Sequence, residues 1–159
     1  MKIELLVVGK VKERFFSDAI DEYLKRLSRY AKVSIIEVKD EKTPENASAH
    51  EEELIMEKEA ERLSKYIADG AYVIALCIEG KQISSEELSD EIVKLENSGV
   101  SHIQMIIGGS LGIHTSLKSR ADMKLSFSKM TFPHQLMRVI LLEQVYRAYR
   151  IKNNEPYHK

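Results

Sequence analysis

The amino-acid sequence predicts an α/β fold, a mostly parallel sheet with helices on both faces, built by residues 1–159 as one domain. Three observations carry this. Short apolar runs alternate with segments of helical period along the whole chain. One of those runs, Ala71 to Ile78, is apolar almost throughout, as expected of a strand covered on both sides. A chain of 159 residues with 43% apolar content suffices for one substantial core and leaves little for a second.

The elements follow in order. Lys2 to Val8 is a β-rich run closed by Gly9, after which Phe15, Phe16, Ala19, Ile20, Tyr23, Leu24 and Leu27 recur at helical spacing. Val33 to Val38 is the second strand. Asp40 to Asn46, with Pro44, reads as a loop before a helix in Ala47–Ile67 that places Leu54, Ile55, Ala60, Leu63 and Ile67 on one face. Ala71 to Ile78 is the third strand, and Glu79-Gly80-Lys81 reads as the turn that ends it. Ser84 or Ser85 caps a helix running to about Asn97, with Glu87 in the reciprocal capping position and Gly99 as the stop. The fourth strand, Ile103 to Ile107, runs into Gly108-Gly109-Ser110-Leu111-Gly112. A short helix near Ser116, a fifth apolar stretch at Met123 to Phe127 and a long helix from Pro133 to about Lys152 complete the chain. No repeat, low-complexity tract or linker divides it.

Composition excludes several classes. The 24 Lys and Arg nearly cancel the 25 Asp and Glu, so any polyanion site must be a local patch. Charge is uneven: Glu37 to Arg62 holds ten acidic and four basic residues, a solvated helix face, whereas Ser126 to Lys159 holds six basic and two acidic. One cysteine, Cys77, excludes an internal disulfide and any multi-cysteine metal cluster; inside an apolar strand it reads as a small core residue. The five histidines lack the i, i+4 spacing of a helical zinc site, so no metal is expected. No run approaches the ~20 apolar residues of a membrane span, and the expected location is the cytoplasm.

Three features carry chemistry. The glycine loop Gly108 to Gly112 follows a buried strand, where ligands collect in open α/β sheets. It lacks the GxGxxG spacing of a dinucleotide site, and alone it reads equally well as a tight turn. The segment Leu125 to Gln135 mixes hydroxyls, aromatics and a base in an order that neither helix nor strand period explains. Beyond it, Leu136, Val139, Ile140, Glu143, Arg147 and Arg150 lie near one another along the last helix, with Arg138 and Tyr146 off that line and Glu143 and Arg147 spaced for an ion pair. The C-terminal Tyr157-His158-Lys159 is the third feature, an aromatic ring, an imidazole and an ammonium in sequence. A Walker loop, a GxSxG elbow and a Cys–His pairing are absent from the sequence.

These features together with Leu6 to Lys12, Asp40 to Asn46, Arg138 and Glu143 to Ala148 resemble the ribosomal RNA large subunit methyltransferase H family, of the SPOUT class. The most specific stretch is Phe127-Ser128-Lys129-Met130-Thr131-Phe132-Pro133-His134-Gln135. The resemblance implies a C-terminal trefoil knot, a homodimer, S-adenosyl-L-methionine as cofactor, and methylation of N3 of a pseudouridine in 23S ribosomal RNA, with assembled ribosomes as substrate. It also implies a cofactor pocket lined by Leu76, Gly108, Gly109 and Phe127, Ser128, Lys129, Met130, Thr131 and Phe132.

Residue chemistry extends this. The cofactor brings an activated methyl group, so the protein has to position the nucleophile and manage its proton. By type, His158 is the expected base for the imide nitrogen, and Arg138 the expected stabiliser of charge on the flanking carbonyl oxygens. Arg147, Arg150, Lys152 and the tail are the expected RNA surface, with Tyr157 stacking on a base and Lys159 on phosphate. The rival readings are a non-catalytic ribosome-binding protein, a SPOUT enzyme acting on transfer RNA, and a Rossmann-type small-molecule methyltransferase.

Overall fold

The computed structural model describes residues 1–159. Its elements, in chain order, are β1 (Lys2–Val8), α1 (Arg14–Leu27), β2 (Lys32–Val38), α2 (Ala49–Ser64), β3 (Tyr72–Gln82), α3 (Ser85–Asn97), β4 (His102–Ile107), α4 (Thr115–Arg120), β5 (Met123–Ser126) and α5 (His134–Lys152). The five strands form one sheet in the order β2-β1-β4-β3-β5, and every neighbouring pair is parallel.

Alternation along β1 shows how the sheet sorts its side chains, since successive residues of a strand face opposite sides. Ile3, Leu5 and Val7 join a core shared with Ile20 and Leu27 of α1, Leu88 and Ile92 of α3, and Leu141, Leu142 and Val145 of α5. Leu6 and Val8 face the other side, against Ala60 and Leu63 of α2 and Leu117 of α4. Helices therefore cover both faces, three on one side and two on the other. Both faces of β1 are buried beyond Glu4, which is why Leu5 to Val8 is apolar throughout.

Local sequence explains the helix starts. Ser84 accepts from Glu87 N while the Glu87 carboxylate accepts from Ser84 N, a reciprocal pair. Ser48 accepts from Glu51 N at the start of α2. α5 begins at His134, with Pro133 just outside the helix rather than inside its first turn. No helix is long and apolar enough to cross a membrane.

Two boundaries differ from expectation. β3 does not end at Glu79-Gly80-Lys81 but continues to Gln82. The strand pairs with β5 twice, through Ile74 to Leu76 and again through Lys81 and Gln82, with the residues between looping out of register. At Gly80 the two main chains touch: a β-carbon there would lie 2.6 Å from the Leu125 carbonyl carbon and 2.7 Å from its nitrogen. Only a residue without a side chain fits that crossing. α2 is also shorter than its apolar pattern, with Leu54 largely exposed while the carboxylate residue Glu59 is buried.

Candidate functional site

A cavity of about 670 Å³ opens at the carboxyl ends of β3, β4 and β5. That is the edge where parallel sheets bind ligands, and the volume is in the range of small-molecule sites. Leu76, Ile107, Leu125, Phe127 and Met137 supply apolar wall.

The glycine loop forms its floor. Gly112 N donates to Gly109 O at 3.0 Å, folding the loop back on itself. A β-carbon on Gly108 would sit 2.5 Å from the carbonyl carbon of Gly112, so the turn exists only with glycine there. The tight turn and the cavity floor are thus one object. From below, the buried Glu59 carboxylate holds Glu41 N at 3.0 Å, and its oxygens would meet a β-carbon on Gly109 at 3.1 and 3.2 Å. Burial raises the pKa of this carboxyl group, and the charge of Asp40 adds to that.

Another wall is formed by Phe127, Ser128 and Met130 to Pro133. Ser126 Oγ donates to Ser128 O at 3.1 Å and Ser128 Oγ accepts from Met130 N at 3.0 Å. These two serines turn the chain outward, leaving Met130 75% exposed at the rim. Such side-chain-to-backbone bonds replace helix or strand pairing, which is why periodicity could not read the segment.

Of the nine residues expected to hold a cofactor, Leu76, Gly108, Gly109, Phe127, Ser128, Met130, Thr131 and Phe132 line the cavity. Lys129 is exposed and does not line it. Cys77, read as a core residue, is half-buried on the cavity wall, and burial holds its thiol above its ordinary pKa, in the protonated, unreactive form.

The expected catalytic and substrate residues lie elsewhere in the chain. Arg138 is 1% exposed. It donates to Val8 O at 2.9 Å, to Gly9 O at 2.8 Å and to Glu37 Oε2 at 2.8 Å, with its Nε buried and unpartnered. It therefore bolts α5 to the ends of β1 and β2 beneath the site. Arg147, Tyr157 and His158 do come together, at the far end of α5. Arg147 pairs with Glu143 at 2.6 Å, as their spacing predicts, and lies over the Tyr157 ring at 4.6 Å. Tyr157 donates to Glu143 Oε1 at 3.0 Å; burial, then Tyr23 and Glu143, drive its phenol pKa upward. His158 Nε2 is 2.7 Å from Glu86 and its Nδ1 is 3.3 Å from Arg147. Arg150 is tied to Tyr30, Glu155 and Pro156 O, and Lys152 to Glu96. Lys159 is exposed.

His134 is the one histidine among the cavity residues, and it carried no expected role. His134, the first residue of α5, lines the cavity beside Pro133 and Met137. Its position directly after proline, at the end of an aperiodic segment, was the available signal.

Fold and cavity define a class. The family model described as "Predicted SPOUT methyltransferase" matches residues 1–158. Solved structures of a probable methylase family protein from Haemophilus influenzae and a putative methylase family protein from Neisseria gonorrhoeae share the fold. Their TM-scores are 0.54 and 0.53 at 12% and 11% identity, covering 99% of this chain and 70% and 85% of theirs. Nearer in sequence, proteins named Ribosomal RNA large subunit methyltransferase H from Bifidobacterium adolescentis and Clostridium botulinum are 64% and 60% identical over 159 residues. Each alignment covers 100% of both chains. The chain belongs to the ribosomal RNA large subunit methyltransferase H family, within the SPOUT methyltransferases.

Proposed function

We propose that this protein uses S-adenosyl-L-methionine to methylate N3 of a pseudouridine in 23S ribosomal RNA, acting in the cytoplasm as a homodimer on assembled ribosomes. The observation that carries the reading is the cavity. Eight of the nine residues that the resemblance assigns to the cofactor line one 670 Å³ space, in a chain 64% identical, end to end, to a protein named Ribosomal RNA large subunit methyltransferase H.

The residues fit such a cofactor. The glycine loop is tightly folded, since a β-carbon on Gly108 would collide with Gly112, and the main-chain groups of its cavity-lining glycines suit the polar edge of an adenine. Leu76, Ile107, Leu125 and Phe127 supply apolar surface for its faces. Bound there, the cofactor would supply a methyl group already activated on sulfur. What remains for the chain is to orient the accepting nitrogen, exclude water and remove one proton.

Arg138 serves by position. Its donors to Val8 O and Gly9 O fix the end of β1 under the site. The RNA surface is Arg147 with Tyr157, His158 and Lys159. Arg147 lies thirteen positions beyond His134, roughly 20 Å along α5, so the tail is remote from the pocket of its own chain. In the proposed dimer the tail completes the pocket of the partner subunit. The touching main chains at Gly80 and Leu125 fit the threading of a trefoil knot. With charges nearly balanced, affinity for naked RNA is expected to be weak, which favours the ribosome as substrate.

The test is transfer of a labelled methyl group from S-adenosyl-L-methionine to ribosomes and, separately, to free ribosomal RNA and transfer RNA. Label at one pseudouridine of large-subunit RNA in ribosomes is the expected result. Cofactor binding with no label on any RNA overturns it and leaves a binding protein.

A further inference from the structure

The chain has five histidines, and the structure separates them by what their ring nitrogens are doing. His158 has one nitrogen on Glu86 and the other facing Arg147. His114 is held between Ser116 and Glu53, and His102 is 2.8 Å from Glu4. His50 is exposed on α2. His134 alone lines the cavity.

His134 is built into this position. It is half-buried at the start of α5, between the outward-turned segment and the buried Met137 and Arg138. Its Nε2 lies 3.9 Å from where a β-carbon on Gly9 would be, and the Asp40 Cγ lies 3.8 Å from the same point. The imidazole and the Asp40 carboxylate thus both flank the turn after β1. Next to it, Gln135 accepts from Lys12 N at 3.1 Å, pinning that turn to the helix.

The charged groups around the ring are Arg138 from its own helix, Asp40 from the loop after β2 and Lys12 from the loop after β1. Burial first, and Arg138 second, lower its pKa; Asp40 opposes them, and Lys12 adds to the lowering. At neutral pH the ring is uncharged and holds a lone pair, the state a proton acceptor needs. No hydrogen bond within the chain contributes to its titration, so this lone pair is uncommitted.

We infer that His134 is the proton acceptor for methyl transfer, taking the N3 proton of the target base inside the cavity. This rests on the functional reading above. The N3–H bond breaks and its proton goes to the free imidazole nitrogen. The electron pair left on N3 forms the new bond to the methyl carbon as the carbon–sulfur bond breaks, and sulfur keeps that pair as a neutral thioether. The imidazolium then returns its proton to water. His158, whose nitrogens are engaged on α3 and α5, is left to the RNA surface.

The experiment is single-turnover methyl transfer to ribosomes across about pH 5 to 9, by the unmodified protein, His134→Gln and His134→Ala. Binding of S-adenosylhomocysteine is followed by calorimetry, and the His134 ring by NMR titration. The unmodified protein is expected to lose rate on acidification, with the midpoint at which the His134 ring protonates. His134→Gln is expected to be about 100-fold slower or more, without that acid limb and with S-adenosylhomocysteine affinity within about threefold. Imidazole in the buffer is expected to restore part of the rate of His134→Ala. A His134→Gln enzyme with the rate or the acid limb of the unmodified protein overturns the inference while leaving the functional reading intact. Parallel loss of S-adenosylhomocysteine binding in both variants, without imidazole rescue, also overturns it, because His134 then shapes the pocket. An unmodified protein that labels no RNA overturns both.

Discussion

The two ends of α5 build their surfaces in opposite ways. At its start, the cavity is walled by main chain and apolar side chains, with the glycine loop below and the serine-held segment across from it. At its far end, the cluster is side chain on side chain: Glu143, Arg147, Tyr157, His158 and Glu86 satisfy one another's hydrogen bonds. A main-chain site depends on where the backbone is allowed to go. A side-chain cluster depends on charge and length, and its ion pairs are only partly shielded from water. The first should fail by steric intrusion and the second by truncation.

The largest effect sharpens that contrast. Gly108→Ala places a methyl 2.5 Å from the Gly112 carbonyl carbon, so S-adenosyl-L-methionine affinity should fall about 100-fold or more, equivalent to ~2.7 kcal/mol. Calorimetry measures it, with circular dichroism showing that the fold persists. Deleting Tyr157 to Lys159 should do the reverse: methyl transfer to ribosomes falls about 100-fold while cofactor affinity stays within about threefold. If the deletion abolishes cofactor binding too, the two ends are not separable.

Arg138→Met tests the bolt between them. It strands the Val8 and Gly9 carbonyls in a buried setting and frees a partly exposed Glu37, so unfolding in urea should show a loss of about 3 kcal/mol. Smallest is Glu59→Gln, beneath the glycine loop. Its carboxyl pKa is raised from 4.5 by burial, so the native state binds that proton more tightly than the unfolded chain does. Stability conferred by Glu59 is complete below about pH 4.5 and declines as pH rises through the higher folded value. Relative to the unmodified protein, Glu59→Gln should therefore gain melting temperature between pH 4 and pH 7, by a few degrees at most. A gap that does not change with pH would mean that burial does not raise this pKa.

Five strands and five helices were legible because the strands stand out as short apolar runs, the longer helices carry their own period, and Ser84 and Glu87 announce α3 directly. The continuation of β3 was not. Glu79-Gly80-Lys81 has turn composition, and it stays extended because β5, remote in sequence, pairs with Lys81 and Gln82. The burial of Glu59 was hidden similarly: nothing within α2 marks it, since its partners are the Glu41 amide and the Gly109 main chain. The cavity wall from Phe127 to Phe132 was found through resemblance, not period. Residue type pointed to Arg138 and His158, whereas tertiary hydrogen bonds decide what those side chains are free to do. His134 acquires its character from Asp40, Arg138 and Lys12, only one of which is near it in sequence.

The contact between Gly80 and the β5 main chain also bears on the order in which the molecule assembles. β5 is four residues long, and both its pairing segments belong to a strand made much earlier in synthesis. Such distant pairings form slowly, since the intervening chain must first be ordered. The layer β2-β1-β4-β3 can condense before β5 arrives, but the wall from Leu125 to Pro133 cannot. Closing that wall is thus tied to the pairing of β5 with β3, and a small molecule that binds only the closed wall would favour that pairing by mass action.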